Sequence, residues 1–165
     1  TTVANTSETP SPPPAAGRRR QARSEATREA LLDAALAEFS AHGFEGASTR
    51  AIAAAAGTHQ PQINYHYASK EALWMATVDH LFERLDAAVR RELGHESVGW
   101  DDRDGFAANV RAFVRAAAGL PELNRIMVQE ATTDSERLRW IVERQRGLGS
   151  ISSHDRGAVS DPPAP

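Results

Sequence analysis

The 165-residue chain contains no cysteine, and aromatic residues make up only 6% of it. Without thiols it has no disulfides, thiolate metal sites or cysteine nucleophile. No apolar run approaches the roughly 20 residues that a membrane-spanning helix needs, and the Pro/Ser/Thr-rich N-terminus has no apolar signal-peptide core. These absences predict a soluble, cytoplasmic protein that makes no membrane contact and folds by packing alone, without a cofactor.

Signals for catalysis and metal binding are also missing. The chain has no Gly-x-Ser-x-Gly elbow, phosphate-binding loop or paired-histidine metal motif. His59 and His66 lie seven residues apart with no third ligand at a suitable spacing. We therefore predict neither an enzyme nor a metal site.

Strand-favouring residues are sparse between residues 24 and 146, whereas alanine is abundant and apolar positions recur at helical spacing. This pattern predicts an all-α fold. A first helix carries one apolar face and ends at Gly43, and a short second helix begins after Ser48 or Thr49. The apolar face of the first helix comprises Leu32, Ala35, Leu36 and Phe39, and that of the second comprises Ile52, Ala55 and Ala56.

A tight turn at Gly57 separates the second helix from a third, in which Pro61 occupies the first turn and Ile63 faces inward. Ser69 is a suitable N-cap for a long fourth helix over residues 70–93. Three more helices are predicted: one from about 106 to 119, then 121–131 and 135–145. Residues 1–17, with a triple proline taken to exclude helix, and the Gly/Ser/Pro-rich residues 147–165 are predicted to be disordered.

Charge is distributed unevenly along the chain. The formal net charge is −3, but residues 18–70 hold seven Lys or Arg against five Asp or Glu, a net of +2. Residues 71–165 hold twelve against sixteen, a net of −4. A polyanionic partner would therefore bind the N-terminal part.

Two short helices joined by a glycine turn and preceded by a basic amphipathic helix are typical of a helix-turn-helix, whose second short helix enters the DNA major groove. The outward face of that helix offers Gln60, Gln62, Asn64 and His66, with Tyr65 and Tyr67 beside them. Amide and imidazole groups suit base edges and phosphates. The pattern predicts a DNA-binding protein.

Residues 27–73 resemble the head of the TetR/AcrR family of bacterial transcriptional regulators over about 47 positions. The resemblance rests on Gly43-Phe44, Ser48-Thr49-Arg50, Ile52-Ala53, Ala56-Gly57 and the run INYHYASKEAL. It implies that Arg50 and the Gln60-Pro61-Gln62 run reach bases, that Thr49 contacts a phosphate, and that Tyr65, His66 and Lys70 contact the backbone. The predicted DNA-binding set is Arg18, Arg19, Arg20, Thr49, Arg50, His59, Gln60, Pro61, Gln62, Asn64, Tyr65, His66 and Lys70.

Two alternatives stay open within this set and in the body that follows it. The Arg18–Arg20 cluster could reach a minor groove or phosphates, or it could simply be solvated. The resemblance also implies an inducer pocket between body helices, although aromatic residues at helical spacing are more often core. The candidate pocket residues are Trp74, His80, Trp100, Met127 and Glu130.

The predicted organisation is a helix-turn-helix domain over 18–73, joined by the fourth helix to a shortened helical body over 74–146 that would serve ligand binding and dimerisation. The resemblance implies a ligand-responsive repressor that binds a palindromic operator as a homodimer. The body lacks the two long C-terminal helices that the family uses for dimerisation, so we expect a truncated chain that is a weak dimer or a monomer. Leu138, Ile141 and Val142 are the first candidates for an alternative contact. A second hypothesis is an auxiliary family member that binds DNA weakly.

Overall fold

The computed structural model describes residues 14–94, 103–133 and 135–151, with side chains from residue 17 to residue 144 within those ranges. These ranges contain seven helices and no strand, which confirms the all-α prediction. None of these helices is both long enough and apolar enough to cross a bilayer. The helices are α1 (Pro14–Gly46), α2 (Thr49–Ala55), α3 (Gln60–His66), α4 (Lys70–Leu93), α5 (Arg103–Ala118), α6 (Pro121–Thr133) and α7 (Glu136–Ile151).

Helix α1 changes direction at Gly43, whose φ of 68° and ψ of 175° interrupt the helical backbone. Glycine adopts such a positive φ without the steric penalty that a Cβ brings. Its last turn places Phe44 against the core, and Ser48 then caps α2 by accepting a hydrogen bond from the Ala51 N–H. The main-chain N–H of Ser48 also donates to Glu38 Oε1 at 3.0 Å, which ties the start of α2 to α1.

The core lies where α1, α2, α4 and α6 meet, and the predicted apolar face of α1 lies within it. The fully buried side chains include Phe39, Ile52 and Trp74. In α2 the inward partner of Ile52 is Ala53, whereas Ala55 is exposed, so the predicted inward face was rotated by part of a turn. A helix of only seven residues carries too few apolar positions to define its buried face unambiguously.

Both ends of the chain differ from the composition-based expectation. Helix α1 begins at Pro14, three residues before the predicted end of the unstructured arm, because a proline at the first helical position needs no N–H partner. Helix α7 continues through Gly147 and Gly149 to Ile151, since each internal glycine costs a helix only about 1 kcal/mol. The other residues of the predicted arm and tail lie outside the described residues.

Candidate nucleic-acid interface

Helices α2 and α3 form the predicted tight pair. Gly57 has a φ of 67° in the turn between them, a conformation that favours glycine. The Thr58 N–H donates to the Ala53 carbonyl at 2.9 Å, which closes the turn. Across the pair, Gln60 Nε2 lies 3.4 Å from Thr49 Oγ1, so the first residues of α2 and α3 are held side by side.

Helix α3 exposes five of its seven side chains. Ile63 is 2% exposed and is the only buried residue among its seven. Pro61, Gln62 and Asn64 are exposed, and Tyr65 retains 79% of its accessible surface. A seven-residue helix that buries one side chain contributes little to the core, so its outward face is available to a partner.

Tyr67, which the sequence placed beside this outward face, belongs to the core instead. It is 8% exposed, and its hydroxyl has no hydrogen-bond partner within the described structure. Burial raises the pKa of Tyr67, while the nearby Arg28 guanidinium opposes that rise. Tyr67 therefore packs the end of α3 against the core.

The other predicted contacts surround α3. Arg50 is exposed in the first turn of α2, and His59 is the exposed N-cap of α3 without a side-chain capping bond. His66 is partly buried and packs edge-on against Tyr65, with ring centroids 5.0 Å apart. Arg50 and His59 are therefore accessible at the starts of α2 and α3, and the Gln60–Thr49 hydrogen bond holds those two starts together.

Lys70 lies at the start of α4, where Ser69 caps the helix by accepting from the Ala72 N–H at 3.1 Å. The Lys70 ammonium donates to the Glu45 carbonyl at 3.3 Å and sits 4.9 Å from the Phe44 ring centroid. The neighbouring Glu71 is exposed, and its own main-chain N–H and then the Ser69 hydroxyl lower the pKa of its carboxyl group. An anionic Glu71 offsets the attraction of the helix N-terminus for phosphate, so the favourable charge here is that of the Lys70 ammonium.

The basic arginines extend this surface. Arg18, Arg19 and Arg20 lie exposed on the N-terminal part of α1, which packs into the core only from Leu31 onward. A groove of about 390 Å³ separates this part of α1 from α3. It is lined by Arg20, Arg23, Ser24 and Thr27 on one side and by Gln62, Tyr65 and His66 on the other.

Ser24 and Thr27 were not among the predicted contact residues. Their signal was present in the sequence, because positions 20, 23, 24 and 27 follow the i, i+3, i+4, i+7 spacing of one helical face. The sequence alone predicts that the Arg18–Arg20 cluster follows a disordered arm. A helix starting at Pro14 turns that cluster into one face of a groove.

The five candidate pocket residues have different surroundings. Trp74 is 1% exposed, and its ring packs against Phe44 and Trp140. His80 Nε2 lies 3.0 Å from Asp33 Oδ1 of α1, and Met127 is partly buried against the core. Glu130 is buried and bonded to Ser135 and Arg137. Trp100 lies outside the described residues.

Of the three apolar side chains suggested as an alternative contact, the structure exposes only one clearly. Ile141 is 3% exposed and belongs to the core, so it is unavailable as a surface contact. Leu138 is partly buried, whereas Val142 is 42% exposed.

Among the described residues, no group of three or more His, Cys, Asp or Glu side chains is arranged to hold a metal ion.

Comparison with known proteins identifies this architecture. Residues 31–77 match the family described as bacterial regulatory proteins, tetR family. The chain is 30% identical over 151 residues to the HTH-type transcriptional repressor SCO4008 of Streptomyces coelicolor, covering 86% of this chain and 72% of that protein. The chain belongs to the TetR family.

Two further comparisons agree with this TetR-family assignment. The chain is 33% identical over 70 residues to the HTH-type transcriptional repressor NicS of Pseudomonas putida, covering 41% of this chain and 33% of NicS. A crystal structure of a TetR family transcription regulator from Marinobacter aquaeolei VT8 superposes with a TM-score of 0.61 and 25% identity, covering 84% of this chain and 71% of that one. The predicted DNA-binding transcriptional regulator is confirmed, and the auxiliary alternative is not favoured.

Proposed function

We propose that this TetR-family regulator represses transcription by placing α3 in the major groove of an operator, where Arg50 and Gln60 read base edges. The observation that carries the proposal is the exposure of α3, which buries only Ile63 and presents its polar side chains to solvent. The two relatives described as transcriptional repressors support the direction of regulation.

Gln60 is positioned for this role before DNA arrives. Its Nε2 atom donates to Thr49 Oγ1, and an amide nitrogen carries two hydrogens. The second N–H and the side-chain carbonyl oxygen suffice for the bidentate pair that Gln forms with adenine N7 and N6. Arg50, exposed at the start of α2, supplies the fork that suits guanine O6 and N7.

Phosphate contacts flank the base readers in this proposal. Tyr65 and His66 lie at the end of α3, and Lys70 keeps two of its three N–H donors free of the Glu45 carbonyl. The arginines of α1 lie across the groove from Tyr65 and His66, so a phosphate strand that passes α3 also passes a row of positive charge. Contacts of this kind position the protein without reading sequence.

We also propose that two copies bind a palindromic operator in the bacterial cytoplasm and that a small molecule in the body changes their spacing. TetR-family regulators usually bind DNA as dimers and respond to ligands. Helix α4 is the element suited to couple the two events, because it begins at Lys70 in the head and buries Val78, Leu81 and Leu85 in the body. Trp74 and Glu130 already have protein partners, so we do not assign the effector site to them.

Binding-site selection from a random duplex pool tests the central proposal. The unsubstituted protein should select one consensus sequence. Arg50→Ala or Gln60→Ala should reduce the binding free energy for that duplex by about 1 to 3 kcal/mol and change binding to random DNA little. Lys70→Ala should weaken binding to both DNAs by a similar factor. Arg125→Ala and Asn124→Ala, exposed on α6, are the charge-matched and amide-matched controls. A Gln60→Ala protein that selects an unchanged consensus would remove Gln60 from the base readers.

A further inference from the structure

Glu130, at the C-terminal end of α6, is the one Asp, Glu, Lys, Arg or His side chain that is buried among the described residues, with 3% of its surface exposed. A carboxylate taken out of water needs compensating partners. Glu130 has two, because the Ser135 hydroxyl donates to Oε2 and Arg137 Nε lies 3.1 Å from Oε2 and 3.3 Å from Oε1. The corner between α6 and α7 therefore fixes the direction of the Arg137 side chain.

Arg137 points from this corner into the head. Its guanidinium lies 4.0 Å from the Phe44 ring centroid and 5.8 Å from that of Trp74. Its Nη1 atom lies 3.8 Å from Glu45 Oε1. A planar guanidinium can stack on a ring while its edge pairs with a carboxylate, a combination that lysine does not offer. One side chain of α7 thus holds both residues of the Phe44-Glu45 pair.

Phe44 and Glu45, which contact Arg137, also contact Lys70 at the start of α4. The Lys70 ammonium bonds to the Glu45 carbonyl and lies near the Phe44 ring. Gln129 Nε2 adds a second link from α6 to α1 by donating to the Ser40 carbonyl at 3.1 Å. A displacement of Phe44 and Glu45 would therefore change where the Lys70 ammonium sits.

We propose that Arg137 is a positioning residue for DNA binding: it fixes Phe44 and Glu45, which in turn place the Lys70 ammonium for a phosphate. Arg137 itself contacts no DNA. The inference rests on the proposed function, because it needs Lys70 to contact the operator backbone.

A double-mutant cycle on DNA affinity tests the link, with the full chain and the duplex it selects from a random pool. Arg137→Gln and Lys70→Gln are measured alone and together. The effects of substitutions at residues of one network are commonly non-additive by more than about 2-fold in affinity. In the protein that retains Lys70, Arg137→Gln should therefore weaken DNA binding by about 5-fold. In the Lys70→Gln variant, the same substitution should weaken DNA binding by less than about 2-fold. Equal losses in both backgrounds, or no loss in either, would overturn the proposal.

Two further variants separate positioning from general destabilisation. Arg137→Lys keeps a cation beside Glu130 but loses the planar stack on Phe44, so it should fold and still weaken binding. Arg139→Gln removes the same charge from an exposed site on α7 and should leave affinity unchanged. If Arg137→Lys binds as tightly as the unsubstituted protein, planar positioning by Arg137 is refuted.

Hydrogen exchange without DNA gives an independent readout. Arg137→Lys should speed amide exchange over residues 44–48 more than Arg139→Gln does, because Phe44 keeps its stacking on Phe39 but loses the guanidinium above its ring. Unchanged exchange there would overturn the inference whatever DNA binding shows. A chain that selects no duplex would refute the proposed function and the role of Lys70, whereas faster exchange would still show that Arg137 holds Phe44.

Discussion

Helix α3 and the corner between α6 and α7 use polar side chains in opposite ways. On α3 the amides of Gln62 and Asn64 are exposed, and only Ile63 is buried. At the corner Glu130 is buried, and Arg137 is only 18% exposed and spans Glu130, Phe44 and Glu45. Polar groups that face water contribute little to folding and are available for binding, whereas buried ones must be paired, because a buried charge that loses its partner is costly.

The largest expected effect on stability is that of replacing Glu130, the buried carboxylate of the corner. Glu130→Ala leaves the Arg137 guanidinium without its closest carboxylate, and removing one partner of a buried ion pair commonly costs 3–5 kcal/mol. Because Arg137 keeps Glu45 and Phe44, we expect the free energy of unfolding to fall by about 3 kcal/mol. Urea unfolding measures this, with Glu136→Ala as an exposed control at the same corner. Equal effects of the two substitutions would show that leaving the Arg137 guanidinium without Glu130 carries no cost in stability.

The second prediction concerns the exposed arginines of α1. Replacing Arg18, Arg19, Arg20 and Arg23 with glutamine should flatten the plot of log affinity against log salt by about 0.9 for each arginine that neutralises a phosphate. The unfolding free energy should change little, because all four are exposed. The matched control replaces four exposed arginines outside the interface: Arg91, Arg111, Arg125 and Arg139. An unchanged slope would assign the α1 arginines to solvent.

Tyr67 sharpens the comparison because its buried hydroxyl has no hydrogen-bond partner among the described residues. Tyr67→Phe removes that group, so stability should stay the same or rise by up to about 1 kcal/mol. In the unsubstituted protein the raised pKa of Tyr67 makes stability fall as pH rises above the ordinary value of 10.0, since the unfolded chain ionises first. Unfolding measured from pH 8 to 11 should show that Tyr67→Phe weakens this fall, whereas Tyr65→Phe, at an exposed site, should not.

The smallest effect is expected on α3 itself. Replacing both Gln62 and Asn64 with alanine should alter the unfolding free energy by no more than about 0.5 kcal/mol, because both side chains are exposed and alanine favours helix. Thermal unfolding and operator affinity measured on the same preparation separate the two roles. A marked loss of stability would mean that Gln62 and Asn64 make stabilising contacts within the protein. Their polar groups would then not differ in role from those at the corner between α6 and α7.

The sequence by itself was sufficient for the order of the helices and for the exposed face of α3. Local signals determine these features: Ser48 and Ser69 cap α2 and α4, Gly57 takes a positive φ, and the fixed spacing within α3 directs Ile63 inward. Each signal acts within a few residues, where backbone sterics and helical periodicity decide the outcome. The α1 spacing at 20, 23, 24 and 27 belongs to the same class, because a helix that begins at Pro14 places these four positions on one face beside the groove.

Only the tertiary structure decided the surroundings of Tyr67 and Ile141 and the partners of Glu130. Tyr67 follows α3 immediately yet is buried, because the chain turns inward after His66. The association of Arg137 with Phe44 joins residues 93 positions apart, and no periodicity operates over that separation. A short-range pattern specifies which face of a helix is apolar, but which charged residue meets which ring depends on how distant helices pack.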